Sequence, residues 1–271
     1  MPGKAKRLSK LFNAGENTVI IAADHGEFDG PIPGMVRIDE TLGKIDPSVD
    51  AVLLSPGMVA RSTALFGAKG APLAIMRLNW STVYCFGWDP RESATVPAVS
   101  AQEAVRLGAD VALVSLTLRT GSEDRDAANV ELFTHLREEC HAFGLPVIGE
   151  YFPVRHQDLL PEALHEEIRV CCRILAELGA DCIKTFHTCR FPEVMEGCPI
   201  PIFGLGAEKT PTQLEALALA RREIDEGARG VVFGRNAIQV PDPPAFQRAL
   251  CDVVKRGMPA DEARSRHQLE D

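Results

Sequence analysis

The sequence is short of positive charge and of aromatics. Its 271 residues include 29 Lys+Arg against 38 Asp+Glu, a net charge of −9, and only two Trp and two Tyr. A deficit of basic residues argues against nucleic acid or anionic membrane as a partner, since both need a basic face to displace counterions. It leaves room for a phosphorylated small molecule, which one helix N-terminus or one arginine can hold inside an acidic protein. No stretch approaches the roughly 18 consecutive apolar residues of a membrane span. The basic start, residues 1–12 with Lys4, Lys6, Arg7 and Lys10, is not followed by an apolar segment of the secretory kind. It reads as a polar N-terminal tail or a first helix.

Metal and nucleotide signatures are also missing. Eight cysteines include the adjacent Cys171 and Cys172 but no Cys-x-x-Cys pair, and seven histidines form no His-x-x-x-His. The expectation is reduced thiols in a cytoplasmic protein, with no metal and no cofactor. A Gly-x-Gly-x-x-Gly after the first strand, the mark of a doubly wound nucleotide fold, is replaced by Asp24-His25-Gly26. No linker or charge block divides the chain.

What is present is alternation. Apolar runs predict strands at Thr18–Ala23, Ala51–Ser55, Pro72–Arg77, Val111–Ser115, Pro146–Phe152, Asp181–Thr185, Ile200–Gly204 and Gly230–Phe233. Amphipathic stretches predict helices over Met35–Leu42, Met58–Phe66, Ser100–Leu107, Asp126–Phe143, Pro161–Leu178, Thr210–Glu226 and Pro243–Lys255. A Gly-Ala-Asp or Gly-Ala-Arg phrase recurs at Gly108, Gly179 and Gly227, each time closing a helix ahead of a strand. Eight strands alternating with helices in about 250 residues predict an α/β (β/α)8 TIM barrel forming a single domain over 1–271, with a polar C-terminal tail from about residue 257.

In such a barrel the chemistry lies where strands end. Lys184 is the sharpest candidate: a lysine inside a short apolar strand either pairs structurally with a barrel carboxylate or presents a poorly hydrated, nucleophilic amine able to form a Schiff base. Asp24 and His25 follow the first strand ahead of a Gly/Pro-rich turn. Glu150 and Tyr151 stand next to each other on the fifth strand. Alternation gives Glu150 and Phe152 one face and Tyr151 the other, so whichever of Glu150 and Tyr151 points inward is the candidate acid/base beside the lysine, a buried Glu150 in a structural ion pair being the alternative. The seventh and eighth strands end in Gly204-Leu205-Gly206-Ala207 and Gly234-Arg235-Asn236. Small residues there admit backbone N–H groups to a phosphate, and Arg235 adds a charge.

These residues resemble a known family. Ala23-Asp24-His25-Gly26, Arg77-Leu78-Asn79 with Ser81-Thr82, Gly179-Ala180-Asp181-Cys182-Ile183-Lys184 and Gly234-Arg235-Asn236-Ala237-Ile238-Gln239 look like the archaeal-type class I fructose-bisphosphate aldolases of the DeoC/FbaB/LacD-like group. The C-terminal half, through Ile183-Lys184-Thr185 and Gly197-Cys198-Pro199-Ile200-Pro201-Ile202, is similar to the autoinducer-2 phosphate thiolase branch of that group. The resemblance implies a metal-independent aldehyde-lyase with Lys184 as the imine-forming lysine and Asp24 as a supporting carboxylate. It also implies a phosphate and substrate site drawn from His25, Asn79, Gly204, Gly206, Ala207, Gly234 and Arg235, and a homo-oligomer. Two alternatives accompany it: thiolase-like acyl transfer from a phosphorylated dione to coenzyme A, with Cys198 or Cys182 assisting, and a non-catalytic barrel that binds a sugar phosphate.

This sequence departs from the family in places that bear on substrate. The aldolase pattern on strand five reads Trp-Ser-Tyr-Pro, with the tyrosine as proton shuttle. Aligned on Pro153, the tyrosine position is Phe152 and the tryptophan position is Glu150. Glu150 is therefore expected to replace the shuttle, with Tyr151 as the alternative. At the phosphate loop the pattern's second glycine is Ala207.

Overall fold

The computed structural model describes residues 2–88 and 92–270. Eight parallel strands close into a barrel: β1 (Thr18–Ala22), β2 (Ala51–Leu54), β3 (Leu73–Arg77), β4 (Val111–Leu116), β5 (Val147–Tyr151), β6 (Cys182–Phe186), β7 (Ile202–Leu205) and β8 (Gly230–Phe233). Each strand pairs with its sequence neighbours, and β1 pairs with β8 to complete the ring. This is the TIM barrel expected from the strand count, and every strand lies within two residues of its expected bounds. Gly108, Gly179 and Gly227 all have φ between 92° and 109°, the left-handed backbone that ends a helix at low cost only for glycine.

Period-2 alternation sorts the core into two layers. Ile20, Leu53, Ile75, Leu113, Ile148, Cys182, Phe203 and Val232 fill the barrel interior. Val19, Ile21, Val52, Met76, Val114, Val147 and Ile183 face outward into the shell of helices. The interior is thus a packed apolar plug, and polar inward side chains occur above it, toward the strands' carboxyl ends.

Both expected tails are ordered helices instead, apart from Met1 and Asp271, which lie outside the described residues. The helix Pro2–Leu11 seals the amino end of the barrel: Leu11 is fully buried in the interior cluster, and Phe12 stacks on Phe203 with ring centroids 5.7 Å apart. Lys4 pairs with Asp181 at 2.6 Å, so the basic residues at the start hold the plug in place. After Gly257, the helix Ala260–Arg266 buries Ala263 completely against the outer shell. The expected helix over residues 58–66 is two short ones, Pro56–Val59 and Thr63–Phe66. Between them the Ser62 hydroxyl donates to the Met58 carbonyl at 2.5 Å, giving the backbone an alternative to continued helix. Periodicity also missed a hairpin outside the barrel, Asn79–Ser81 paired antiparallel with Thr95–Pro97. No helix among the described residues is long and apolar enough to cross a membrane.

Candidate active site

The barrel's carboxyl end holds a cavity of about 190 Å³, and Lys184 lies on its wall. Lys184 shares its inward face with Cys182, two residues below, and Phe186, two above, as strand alternation requires. β5 and β6 are in register with Glu150 opposite Lys184. Glu150 shares the face of Ile148 and Phe152, and its Oε1 lies 2.5 Å from Lys184 Nζ. Of the two candidates on β5, Glu150 is the one whose side chain faces the cavity.

Two further residues complete a buried charged quartet. Arg77, at the end of β3, donates from Nη2 to Glu150 Oε2 at 2.7 Å and from Nε to Asp24 Oδ2 at 2.7 Å. Its guanidinium lies against the rings of Phe28 and Tyr84, 5.1 and 4.7 Å from their centroids, which are themselves 4.7 Å apart. The Tyr84 hydroxyl donates to the same Glu150 oxygen at 2.7 Å. All four charged groups are under 10% exposed. Two cations and two anions cancel, which is how charges survive in a site of low polarity.

These pairings set the protonation states. Burial alone would raise the Asp24 carboxyl, but Arg77, then Lys184, bring it down to about 2. Burial likewise opposes ionisation of Glu150, and Arg77 and Lys184 outweigh it and hold its carboxyl below the usual range. His25 behaves oppositely: burial is the main force holding its imidazole down at about 4, so it is neutral at physiological pH. Burial, reinforced by Glu150, keeps Tyr84 a phenol.

On the cavity's other side lie the loops after β7 and β8. Arg235 Nη2 donates to the Ala207 carbonyl at 2.9 Å, while its Nε is buried with no partner. His25 Nδ1 and Arg77 Nη1 are unpartnered in the same way, and all three residues line this cavity. Asn236 pins the loop, donating to the carbonyls of Gly206 and Glu208 and accepting from the Thr210 amide at 2.8 Å. Ala207 sits at φ 48°, in the left-handed region. At Gly234 a Cβ would stand 2.3 Å from the His25 ring, so the missing side chain there makes room for His25.

Of the residues singled out from sequence, Asp24, His25, Glu150, Lys184, Gly206, Ala207, Gly234 and Arg235 line one cavity, and three do not. Tyr151 points outward, its phenol donating to Glu167 at 2.7 Å, because alternation places it opposite Glu150. Asn79 is spent on β4, where its amide bonds the Ser115 carbonyl and N–H. Gly204 faces the helical shell; a Cβ there would collide with the Glu223 carboxyl at 2.3 Å. The two cysteines proposed as helpers also lie away from the cavity. Cys182 is buried in the interior plug, and the Cys198 thiol donates to the carbonyls of Cys172 and Ile200. Sequence reasoning missed Tyr84 and the role of Arg77. A lone arginine closing an apolar strand on the inward face of Ile75 was the available signal for Arg77; no periodicity marked Tyr84.

Comparison with known proteins gives concordant results. The profile described as "DeoC/LacD family aldolase" matches residues 18–240. The chain is 31% identical over 262 residues to 2-amino-3,7-dideoxy-D-threo-hept-6-ulosonate synthase 1 of Archaeoglobus fulgidus, covering 97% of this chain and 95% of that protein. It is 30% identical over 270 residues to the 3-hydroxy-5-phosphonooxypentane-2,4-dione thiolase of Photorhabdus laumondii, covering 96% and 85%. Among solved structures, a Schiff base forming fructose-1,6-bisphosphate aldolase superposes with a TM-score of 0.79 at 26% identity, over 93% of this chain and 99% of that one.

Proposed function

The chain belongs to the DeoC/LacD aldolase family, and from that premise and its site we propose that it is a Schiff-base aldolase that makes or breaks a carbon–carbon bond in a small phosphorylated ketose. The observation that carries the proposal is the pairing of Lys184 with Glu150 at 2.5 Å on the cavity wall. A carboxylate at that distance is placed to take a proton from the amine and return it to substrate.

The sequence of steps follows from that placement. Lys184 passes a proton to Glu150, and the neutral amine adds to the ketone carbon. Glu150 protonates the resulting hydroxyl, which leaves as water, and the iminium forms. The ionised carboxylate then takes the proton of the hydroxyl two carbons away. The carbon–carbon bond breaks, its electron pair moves into the iminium to give an enamine, and an aldehyde departs. Glu150 returns the proton to the enamine carbon, and water hydrolyses the imine. Asp24 holds Arg77, and Arg77 holds Glu150, so the carboxylate is fixed while its proton moves. His25 and Arg235 face the region where a substrate phosphate would be held, and Arg235 Nε is free to bind it. No metal or organic cofactor is needed for these steps.

The test is borohydride trapping against a panel of phosphorylated ketoses and diones, read by intact mass, with Lys184→Ala alongside. The expected result is an adduct in the parent that Lys184→Ala abolishes. An adduct that persists in the variant, or none with any ketone, overturns the proposal. Acyl-coenzyme A formed from a phosphorylated dione would replace lyase by thiolase chemistry, the reading that the thiolase relatives support.

A further inference from the structure

The cavity has two unlike sides. Toward β7, β8 and β1 it carries His25 and Arg235, set beside the smaller aliphatic side chains of Ala22, Leu205 and Val232. Toward β5 and β6 it is a wall of rings. Phe186 stands two residues beyond Lys184 on β6, and Phe152 two beyond Glu150, just past the end of β5, so both continue the same inward face about 6–7 Å further up. Their centroids are 5.0 Å apart, and His156 lies 4.9 Å from each. Phe86 closes the outer edge, 6.0 Å from Phe152 and 5.8 Å from His156. Burial is the main cause holding His156 below its ordinary value, so it joins the wall as a neutral ring.

The cavity's cations are few. Arg77 is paired with two carboxylates, only its Nη1 remaining unpartnered, and Lys184 is committed to the chemistry, which leaves Arg235 as the cation without an ion pair among the described residues lining the cavity. The remaining charged residues at the mouth, Asp29 and Glu208, are acidic. A second phosphate on the far half of a substrate would meet rings and carboxylates, and burying an anion there without a partner is costly.

Resting on the aldolase reading above, we infer that the aldehyde half of the substrate is apolar, an aliphatic or aryl aldehyde without phosphate. Phe86, Phe152, His156 and Phe186 are then specificity-determining residues. In the synthetic direction, the enamine carbon on Lys184 attacks the aldehyde carbon, the new carbon–carbon bond forms, and the aldehyde oxygen takes the proton held by Glu150. Water then releases the product from Lys184. The chain of R–CHO extends upward from the reacting pair and lies on the rings.

The experiment uses whichever donor traps best on Lys184 among dihydroxyacetone phosphate, dihydroxyacetone and hydroxyacetone. It measures kcat/KM for benzaldehyde, butyraldehyde, glyceraldehyde and glyceraldehyde 3-phosphate. The apolar aldehydes are expected to exceed the phosphorylated one by about tenfold or more, the scale on which an apolar pocket discriminates. Phe86→Arg changes a residue 42% exposed, so the fold tolerates it, and the added cation should reverse the preference. Parent preference for glyceraldehyde 3-phosphate, no turnover of either apolar aldehyde, or an unmoved preference in Phe86→Arg overturns the inference while the trapped donor leaves the aldolase reading standing. Absence of any trapped donor removes both.

Discussion

Glu150→Gln isolates the central group. In the parent, Glu150 accepts from Lys184 at 2.5 Å and from Arg77 and Tyr84 at 2.7 Å each. The quartet of Asp24, Arg77, Glu150 and Lys184 is neutral as a whole. The amide keeps the volume and removes one negative charge, leaving a surplus positive charge among groups less than 10% exposed. Breaking a buried ion pair by removing one partner costs about 3–5 kcal/mol, to be read as a lowered midpoint in denaturant unfolding. The amine remains, but it has lost the group that takes its proton and releases water from the carbinolamine, so the borohydride adduct should form more slowly. The proton acceptor is lost, so turnover should fall about 10²- to 10⁴-fold. Tyr84→Phe is the graded control: it removes one of the three hydrogen bonds to a charged acceptor, worth about 1.5–3 kcal/mol, and leaves the carboxylate in place. Its rate loss should be much the smaller. A Glu150→Gln protein that unfolds more easily yet turns over within about threefold of the parent would refute the role assigned here, since general acid–base groups contribute far more than that. Glu150 would then be a structural ion-pair partner.

Four other outcomes follow from the same geometry. Tyr151→Phe should leave turnover unchanged and lower stability by about 1–3 kcal/mol, because Glu167 loses a buried hydrogen bond; steady-state kinetics and denaturant titration separate the two effects. Leu11→Ala opens a hole at the sealed end of the barrel, where Leu11 is fully buried, and should cost about 2–5 kcal/mol by the same titration. His25 has its folded value depressed from 6.5 to about 4, so the unfolded chain binds the proton first. Its contribution is complete above about pH 6.5 and is lost as pH falls toward 4, at most about 3 kcal/mol for this partly exposed ring; His25→Asn should flatten unfolding free energy between those pH values. Ala207→Gly relieves a left-handed alanine at φ 48°, and thermal melting should show a gain of about 0.5–1 kcal/mol.

The barrel was legible because buried parallel strands write themselves as apolar runs and the glycines that end helices recur ahead of them. Lys184 was legible for the same reason, as a charge inside such a run. The rest of the site was hidden by distance along the chain. The contacts of Arg77 with Asp24 and of Tyr84 with Glu150 join residues 53 and 66 positions apart, and no local pattern encodes them. Asn79 and Gly204 were misplaced because a strand-end position says where a residue is and not which way its side chain faces. The C-terminal helix was read as a tail, and the N-terminal one as a tail or a helix, because their charged surfaces dominate the composition, while a few buried residues such as Leu11 and Ala263 anchor them.

Strand β5 shows what alternation can and cannot decide. It stated that Glu150 and Phe152 share a face without stating that the face is inward; the place of Ile148 in the barrel interior supplies that. Compared with the Trp-Ser-Tyr-Pro pattern that the strand resembles, two changes then become one. On the proposed mechanism, the proton-handling group stands one inward step down, at the level of Glu150 and not of Phe152, where it meets the amine directly. The level above it holds a ring that packs on Phe186 and His156. Reverting Phe152→Tyr alone would therefore place a hydroxyl against the aromatic wall without restoring the tryptophan beneath it, and Glu150 would remain the group in contact with Lys184.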